Sequence, residues 1–137
     1  MDLMIQFVHQ NNAAKCWPLV EPHIKEAIEY GQGDYTLDQV KLLVNMGSWT
    51  LLVAVDENAQ IKGAATVSYM NYPNDRVAFI TFIGGKLISN KETFEQMCGI
   101  LKANGATKIQ GYARPAIARL WSRYGFEERT TLVEVKI

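Results

Sequence analysis

The sequence is poor in cysteine. Cys16 and Cys98 are far apart and lie outside any Cys-x-x-Cys or Cys/His pattern. Two such residues are too few for a disulfide framework or a zinc site, and they fit a reducing compartment. Net charge is absent too: 14 Lys+Arg balance 14 Asp+Glu over 137 residues, which removes the electrostatic drive toward nucleic acid or a membrane surface. Lys102, Lys108, Arg114, Arg119, Arg123 and Arg129 alternate with apolar neighbours and read as a solvated face rather than a nucleic-acid grip. No apolar run approaches the ~18 residues that span a bilayer. The start, Met1-Asp2-Leu3-Met4, lacks the basic-then-apolar layout of a secretory signal. Histidine is scarce, and His9 and His23 have no second ligand at metal spacing, so no metal is expected. There is no repeat, low-complexity stretch or linker.

What is present is a globular balance, 48% apolar and 20% charged, in a length that suits one domain over residues 1–137. These features describe a small soluble domain of the cytoplasm, either an enzyme or an interaction module.

Hydrophobic periodicity divides the chain into ten elements. Leu3 to Val8 reads as a strand and Gln10-Asn11-Asn12 as a turn. Val20, Ile24, Ala27 and Ile28 mark a helix, closed by Gly31 and Gly33, with Pro18 or Pro22 in its first turn. Thr36-Leu37-Asp38-Gln39 spells a capping box for a second helix that stops at Gly47. Three strands follow. Trp49–Val55 is nearly all apolar, Ile61–Tyr69 has Gly63 marking a bulge, and Val77–Ile83 comes after the turn at 71–75. Ser89-Asn90-Lys91-Glu92 reads as a second capping box, before a stripe of Phe94, Met97, Cys98 and Leu101. A strand over Thr107–Ala113, a helix opened by Arg114-Pro115, and an alternating strand over Thr130–Ile137 complete the order β-α-α-β-β-β-α-β-α-β. Three strands on short turns predict an antiparallel meander, and the strand-helix-strand step predicts one parallel crossover.

That order resembles the GNAT N-acetyltransferase superfamily over nearly the whole chain. The most specific stretch runs from Ala113-Arg114-Pro115 through Leu120-Trp121 to Tyr124-Gly125-Phe126, and looks like the family's final helix, Asn-x-x-Ala-x-x-Leu-Tyr-x-x-x-Gly-Phe. Leu52–Glu57 followed by Ile61–Ala65 looks like its central hairpin. The chain is also similar to small GNAT-like proteins of tailed bacteriophages. The resemblance implies a mixed, twisted, mostly antiparallel sheet of six to seven strands with helices on both faces.

It also implies acetyl-CoA as cofactor, lying where two parallel strands splay apart, with its pyrophosphate at the N-terminus of the following helix. Orphan amides and the positive helix end favour an anion there. The corresponding residues are Ile83, Gly84, Gly85, Lys86, Ser89, Asn90 and Lys91, with Arg114 at the place where the family commonly has Asn. The family's loop, Gln/Arg-x-x-Gly-x-Gly/Ala, is not kept. Gly85 stands at the basic position, Ile88 at the first glycine and Asn90 at the last. A plain turn at Gly84-Gly85 and a plain helix cap at Ser89-Asn90 account for the same residues.

Acetyl transfer needs a neutral amine and a donor to protonate the leaving thiolate. The family's donor tyrosine falls on Trp121, whose indole cannot supply a proton. Tyr124, three residues on, and Tyr112, at the end of the preceding strand, are the candidates, although tyrosines beside a Gly-Phe turn also serve as core. The fourth strand carries no acidic residue. His23 is the candidate base, and Asp75 and Tyr72 lie in the turn before that strand.

Two functions remain open. One is an acetyl-CoA-dependent transferase acting on a small-molecule or peptide amine. The other is a non-catalytic phage accessory or virion-associated module that binds a protein partner through Trp17, Trp49, Tyr69, Tyr72 or Trp121. A homodimer is open under either.

Overall fold

The computed structural model describes residues 2–137. Strand β1 (Met4–Val8) leads into α1 (Gln10–Glu29) and α2 (Leu37–Asn45). The meander β2 (Thr50–Val55), β3 (Ile61–Asn71) and β4 (Arg76–Gly85) follows, then α3 (Lys91–Ala103), β5 (Lys108–Gly111) and α4 (Pro115–Trp121), with a 3-10 turn over Ser122–Tyr124. The sheet has five strands in sequential order. Neighbours pair antiparallel except β4 and β5, which are parallel across the α3 crossover.

The helices hold two separate cores against the sheet. Trp17, Val20 and Ile24 of α1 and Val40 and Val44 of α2 pack on Leu51, Val53 and Ala64. On the opposite face Met97 and Leu101 of α3 and Trp121 of α4 pack on Leu52, Ala65, Val67, Ala78 and Ile80. Alternate residues of β2 feed both cores, which is why its run is apolar throughout.

Three expectations need correction. First, α1 starts eight residues before Pro18, at Gln10, so Gln10-Asn11-Asn12 is helical and both prolines are internal. His9 provides the cap, its Nδ1 accepting from the Asn11 amide at 3.2 Å. Pro18 and Pro22 sit on the exposed side, where the carbonyls that lack a helical donor are not sealed in the core. Second, α3 is capped one residue later than the Ser89–Glu92 spelling. Asn90 Oδ1 accepts from Thr93 N at 2.9 Å, and Thr93 Oγ1 accepts from Asn90 N at 3.2 Å. Third, Thr130–Ile137 forms no strand, so the described sheet has five strands rather than six to seven.

Candidate active site

The cleft begins where β4 and β5 part. Their ladder has four pairs: Val77 with Lys108, Ala78 with Ile109, Phe79 with Gln110, and Ile80 with Gly111. Beyond Ile80, β4 runs on to Gly85 with β3 as its sole partner. The register of β3 and β4 shifts here, leaving Thr81 as an extra residue between the Phe82–Thr66 and Ile80–Val67 pairs. A bulge bends its strand and increases the twist, turning β4 away from β5 at the last shared rung. The side chain of Thr81 pins the bulge, donating to the Thr66 carbonyl at 2.9 Å while its hydroxyl meets that of buried Thr66 at 2.7 Å.

The parting opens a cavity of about 990 Å³. One wall is β4, from Phe79 to Gly85, with Ser68 and Met70 behind it. Gln110, Tyr112, Arg114 and Trp121 form the opposite wall. The end of α1 and the loop after it contribute Glu26, Tyr30, Asp34 and Tyr35, joined by Trp49. Tyr35 lies edge-on to Trp49 at 4.9 Å and to Phe82 at 6.2 Å. Across the mouth, the Arg114 guanidinium stands 4.3 Å over the Tyr30 ring, linking the start of α4 to the end of α1.

The predicted site residues divide between this cavity and other places. Ile83, Gly84, Gly85, Arg114 and Tyr112 line it. Tyr112 is exposed and sits edge-on to Phe79 at 5.2 Å. Tyr124 lies elsewhere, stacked on Phe94 at 5.0 Å among residues packed against the α3 core. His23 is half-buried on α1, its Nε2 3.4 Å from the Ile61 carbonyl oxygen. Asp75 is held by Lys108 at 3.1 Å and Thr107 at 2.9 Å. These two hydrogen bonds, with the nearby charge of Arg129, hold its carboxyl below the usual carboxylate range. It ties the start of β5 to the turn before β4.

At the start of α3 the protein's own groups satisfy two of the backbone amides. Thr93 Oγ1 accepts from Ser89 N at 3.0 Å as well as from Asn90 N, so the two amides expected to meet an anion are already satisfied. Lys91 is paired with Glu95 at 3.9 Å on the exposed face, and Lys86 is exposed. Gly84 and Gly85 are explained by close packing. A side chain at Gly84 would run into the His23 carbonyl of α1, and one at Gly85 would lie 2.5 Å from the Lys62 carbonyl oxygen. The amides of Lys91 and Glu92, at the first two helical positions, are the ones this cap leaves unbonded.

Trp17, Trp49 and Trp121 are buried, which removes them as contact residues for a partner; Tyr72 is exposed. Burial pushes both cysteine thiols up, with Glu95 adding to the effect at Cys98, so neither is a ready thiolate. Sequence reasoning missed Glu26, Tyr30, Asp34 and Tyr35, which follow or end a helix and carry no local signal. Among the described residues there is no cluster of three metal-ligating side chains and no helix long and apolar enough to cross a membrane.

No protein-family model and no curated protein matches the chain. Solved structures do match in fold. An aminoglycoside acetyltransferase from an uncultured soil metagenomic sample, in complex with sisomicin, superposes with a TM-score of 0.67 at 16% identity, covering 98% of this chain and 96% of its own. A second aminoglycoside acetyltransferase from such a sample has a TM-score of 0.67 at 19% identity, over 100% of this chain and 99% of that one. A Trypanosoma brucei acetyltransferase gives 0.61 at 11% identity, over 99% and 100%. The chain thus has the fold of these acetyltransferases, a mixed α/β sheet of GNAT-like form. At such identities the likeness is one of architecture, and activity has to be argued from the cleft.

Proposed function

We propose that the chain is an acetyl-CoA-dependent N-acyltransferase acting on an amine. The observation that carries this reading is the parting of β4 from β5 at the Thr81 bulge, which leaves a cavity of about 990 Å³ beside unpaired β4 backbone. Acetyl-CoA would supply an activated acyl group on a narrow flexible arm. The arm's site fits, since past Ile80 every second β4 amide points away from β3 into the gap and can polarise an acyl oxygen. The phosphate end fits less fully: the Lys91 and Glu92 amides and the Lys86 charge are available, whereas Lys91 is paired with Glu95 and Ser89 and Asn90 are committed to the cap.

The rest of the site suits an amine. The carboxylates of Glu26 and Asp34 attract an ammonium group, and the Tyr30, Tyr35 and Trp49 rings offer faces for it. With no acidic residue on β4, proton removal runs through water, and positioning of the reactants provides most of the acceleration. The Tyr112 hydroxyl is the donor on the cavity wall for the leaving group.

Calorimetric titration with acetyl-CoA, followed by an amine panel assayed for free thiol release, tests this. Saturable binding and thiol release that depends on an amine support it. A flat titration at millimolar acetyl-CoA overturns it. The self-satisfied cap of α3 favours the second reading, a protein-binding module without a cofactor, which that flat titration would leave standing.

A further inference from the structure

Helix α1 covers only part of its face of the sheet. The His23 carbonyl lies against Gly84, and Gly31, just past the helix end, lies against the Phe82 ring. The helix therefore runs back along β4 and stops near Phe82, while the same face of the sheet continues toward the start of the strand. On β3, Ala64 packs under α1, and Ser68 and Met70 lie an even number of residues further on, hence on the same side. Phe79 stands opposite Ser68, and Gln110 opposite Phe79. Tyr112 is edge-on to Phe79 at 5.2 Å, and the Tyr72 hydroxyl donates to Met70 Sδ at 3.8 Å. Met70 and Phe79 are half-buried, and the two tyrosines are more than half exposed. Together they form an apolar shelf within the same cavity.

The charges of that cavity are gathered at its other end. Among the described residues, its charged lining consists of Glu26, Asp34 and Arg114, beside the end of α1, and none of the three is in an ion pair. The shelf has no charged residue, and Asp75, on the turn beyond it, is already bound by Lys108 and Thr107. An ammonium group is thus matched beside α1, whereas a second one on the shelf would be desolvated without a partner. Met70 lies about 7 Å further along the strand than Ser68, so the shelf has room for a chain of several methylenes.

We propose that the acceptor is a monoamine with a long apolar tail, its ammonium group at Glu26 and Asp34 and its tail laid along Phe79, Tyr112, Met70 and Tyr72. This deepens the acyltransferase reading and rests on it. A short amine leaves the shelf empty, and a polycation puts unpaired charge on it. A tailed monoamine matches both ends at once. Tyr112 meets the tail through its ring, which leaves its hydroxyl free for the departing thiolate.

The test titrates the full chain, carrying carbon-13 methyl methionine, with n-alkylamines from propylamine to octylamine. The Met70 methyl signal, assigned by its loss in Met70→Leu, should move saturably, and Kd should fall about 3-fold per added methylene. The signals of Met4 and Met46, exposed elsewhere, should stay in place. The diamine of octyl length should bind about 10-fold more weakly than octylamine. In Met70→Asp, followed by calorimetry, that order should reverse; if this variant misfolds, Tyr72→Asp, on the exposed turn, makes the same comparison. A Kd independent of length overturns the proposal, as does a silent Met70, equal movement of Met4 and Met46, or a diamine preferred by the unaltered chain. The two readings fail separately. Length-dependent binding without thiol release from acetyl-CoA overturns the acyltransferase and leaves the shelf as a binding site. Thiol release that ignores tail length overturns the shelf and leaves the acyltransferase.

Discussion

The two faces of the sheet differ in how completely they are filled. Beneath α1 and α2 the centre is tightly packed: Val20, Ile24, Val40 and Ala64 are inaccessible, and Trp17 nearly so. Beneath α3 and α4 the core is closed around Leu87, Met97 and Leu101 but opens toward β5, where Phe94, Ile117, Tyr124 and Phe126 are only partly covered. The cleft opens between the two, where β4 parts from β5 beside the end of α1, and the unfinished edge lies at β5.

Paired substitutions on the two sides sharpen this contrast. Trp17→Ala should cost about 4 kcal/mol, read from urea unfolding. Trp121→Ala should cost about 2–3 kcal/mol, because one side of its ring already borders the cavity. Equal losses would mean that the two cores are filled alike. At the contact of α1 with β4, Gly84→Ala should lose about 2 kcal/mol by forcing the His23 backbone away. Gly99→Ala, on the exposed side of α3 with no neighbour in reach, should instead gain up to about 1 kcal/mol. A gain at both glycines would show that α1 is not seated on the sheet as closely as described.

Removing the reciprocal half of the α3 cap with Thr93→Val, which keeps the bond from the Thr93 amide to Asn90 Oδ1, should cost about 1 kcal/mol and release the Ser89 and Asn90 amides. If the cofactor's phosphates meet this helix end, acetyl-CoA should then bind at least as tightly as before; weaker binding would argue that the hydroxyl itself holds the ligand. The smallest effect concerns acid. Because the folded Asp75 carboxyl lies below its unfolded value, its stabilisation is present above the ordinary carboxylate range and fades as pH falls through the lowered folded value. Asp56 acts in the same direction, lowered by the Gln60 and then the Asn58 amide, with Lys62 adding to it. Asp75→Asn should therefore flatten part of the acid limb of a melting-temperature profile and leave the neutral region nearly level. An unchanged acid limb would show that the link to Lys108 is not held in solution.

Much of the fold was legible because the signals were local. The Thr36–Gln39 box is made as spelled, with Thr36 Oγ1 accepting from Gln39 N at 3.3 Å and Gln39 Oε1 from Thr36 N at 2.9 Å. The bulge expected at Gly63 falls beside it, at the register shift opposite Ala54 and Val55. Where the readings failed, two signals competed. The first turns of α1 are polar, and two prolines further on imitate a helix start. In α3, a Ser-x-x-Glu frame overlaps an Asn-x-x-Thr frame, and Thr93 won because its buried hydroxyl can serve two amides and the Asn90 carbonyl together. The tail at 130–137 has the composition of a strand, but pairing depends on an edge that composition does not reveal. The cleft was legible as architecture, through the crossover. Its acidic and aromatic lining from α1 and the loop after it was not, because those residues meet β4 through tertiary packing alone.

The short ladder between β4 and β5 has a mechanical consequence. Four slanted rungs, one end clamped by Asp75 and the other released at a bulge, form the weakest seam in the sheet. Under gentle denaturant the molecule should unzip there first, swinging β5 and α4 outward as a flap while the meander under α1 stays intact. Local opening and ligand entry would then be the same movement.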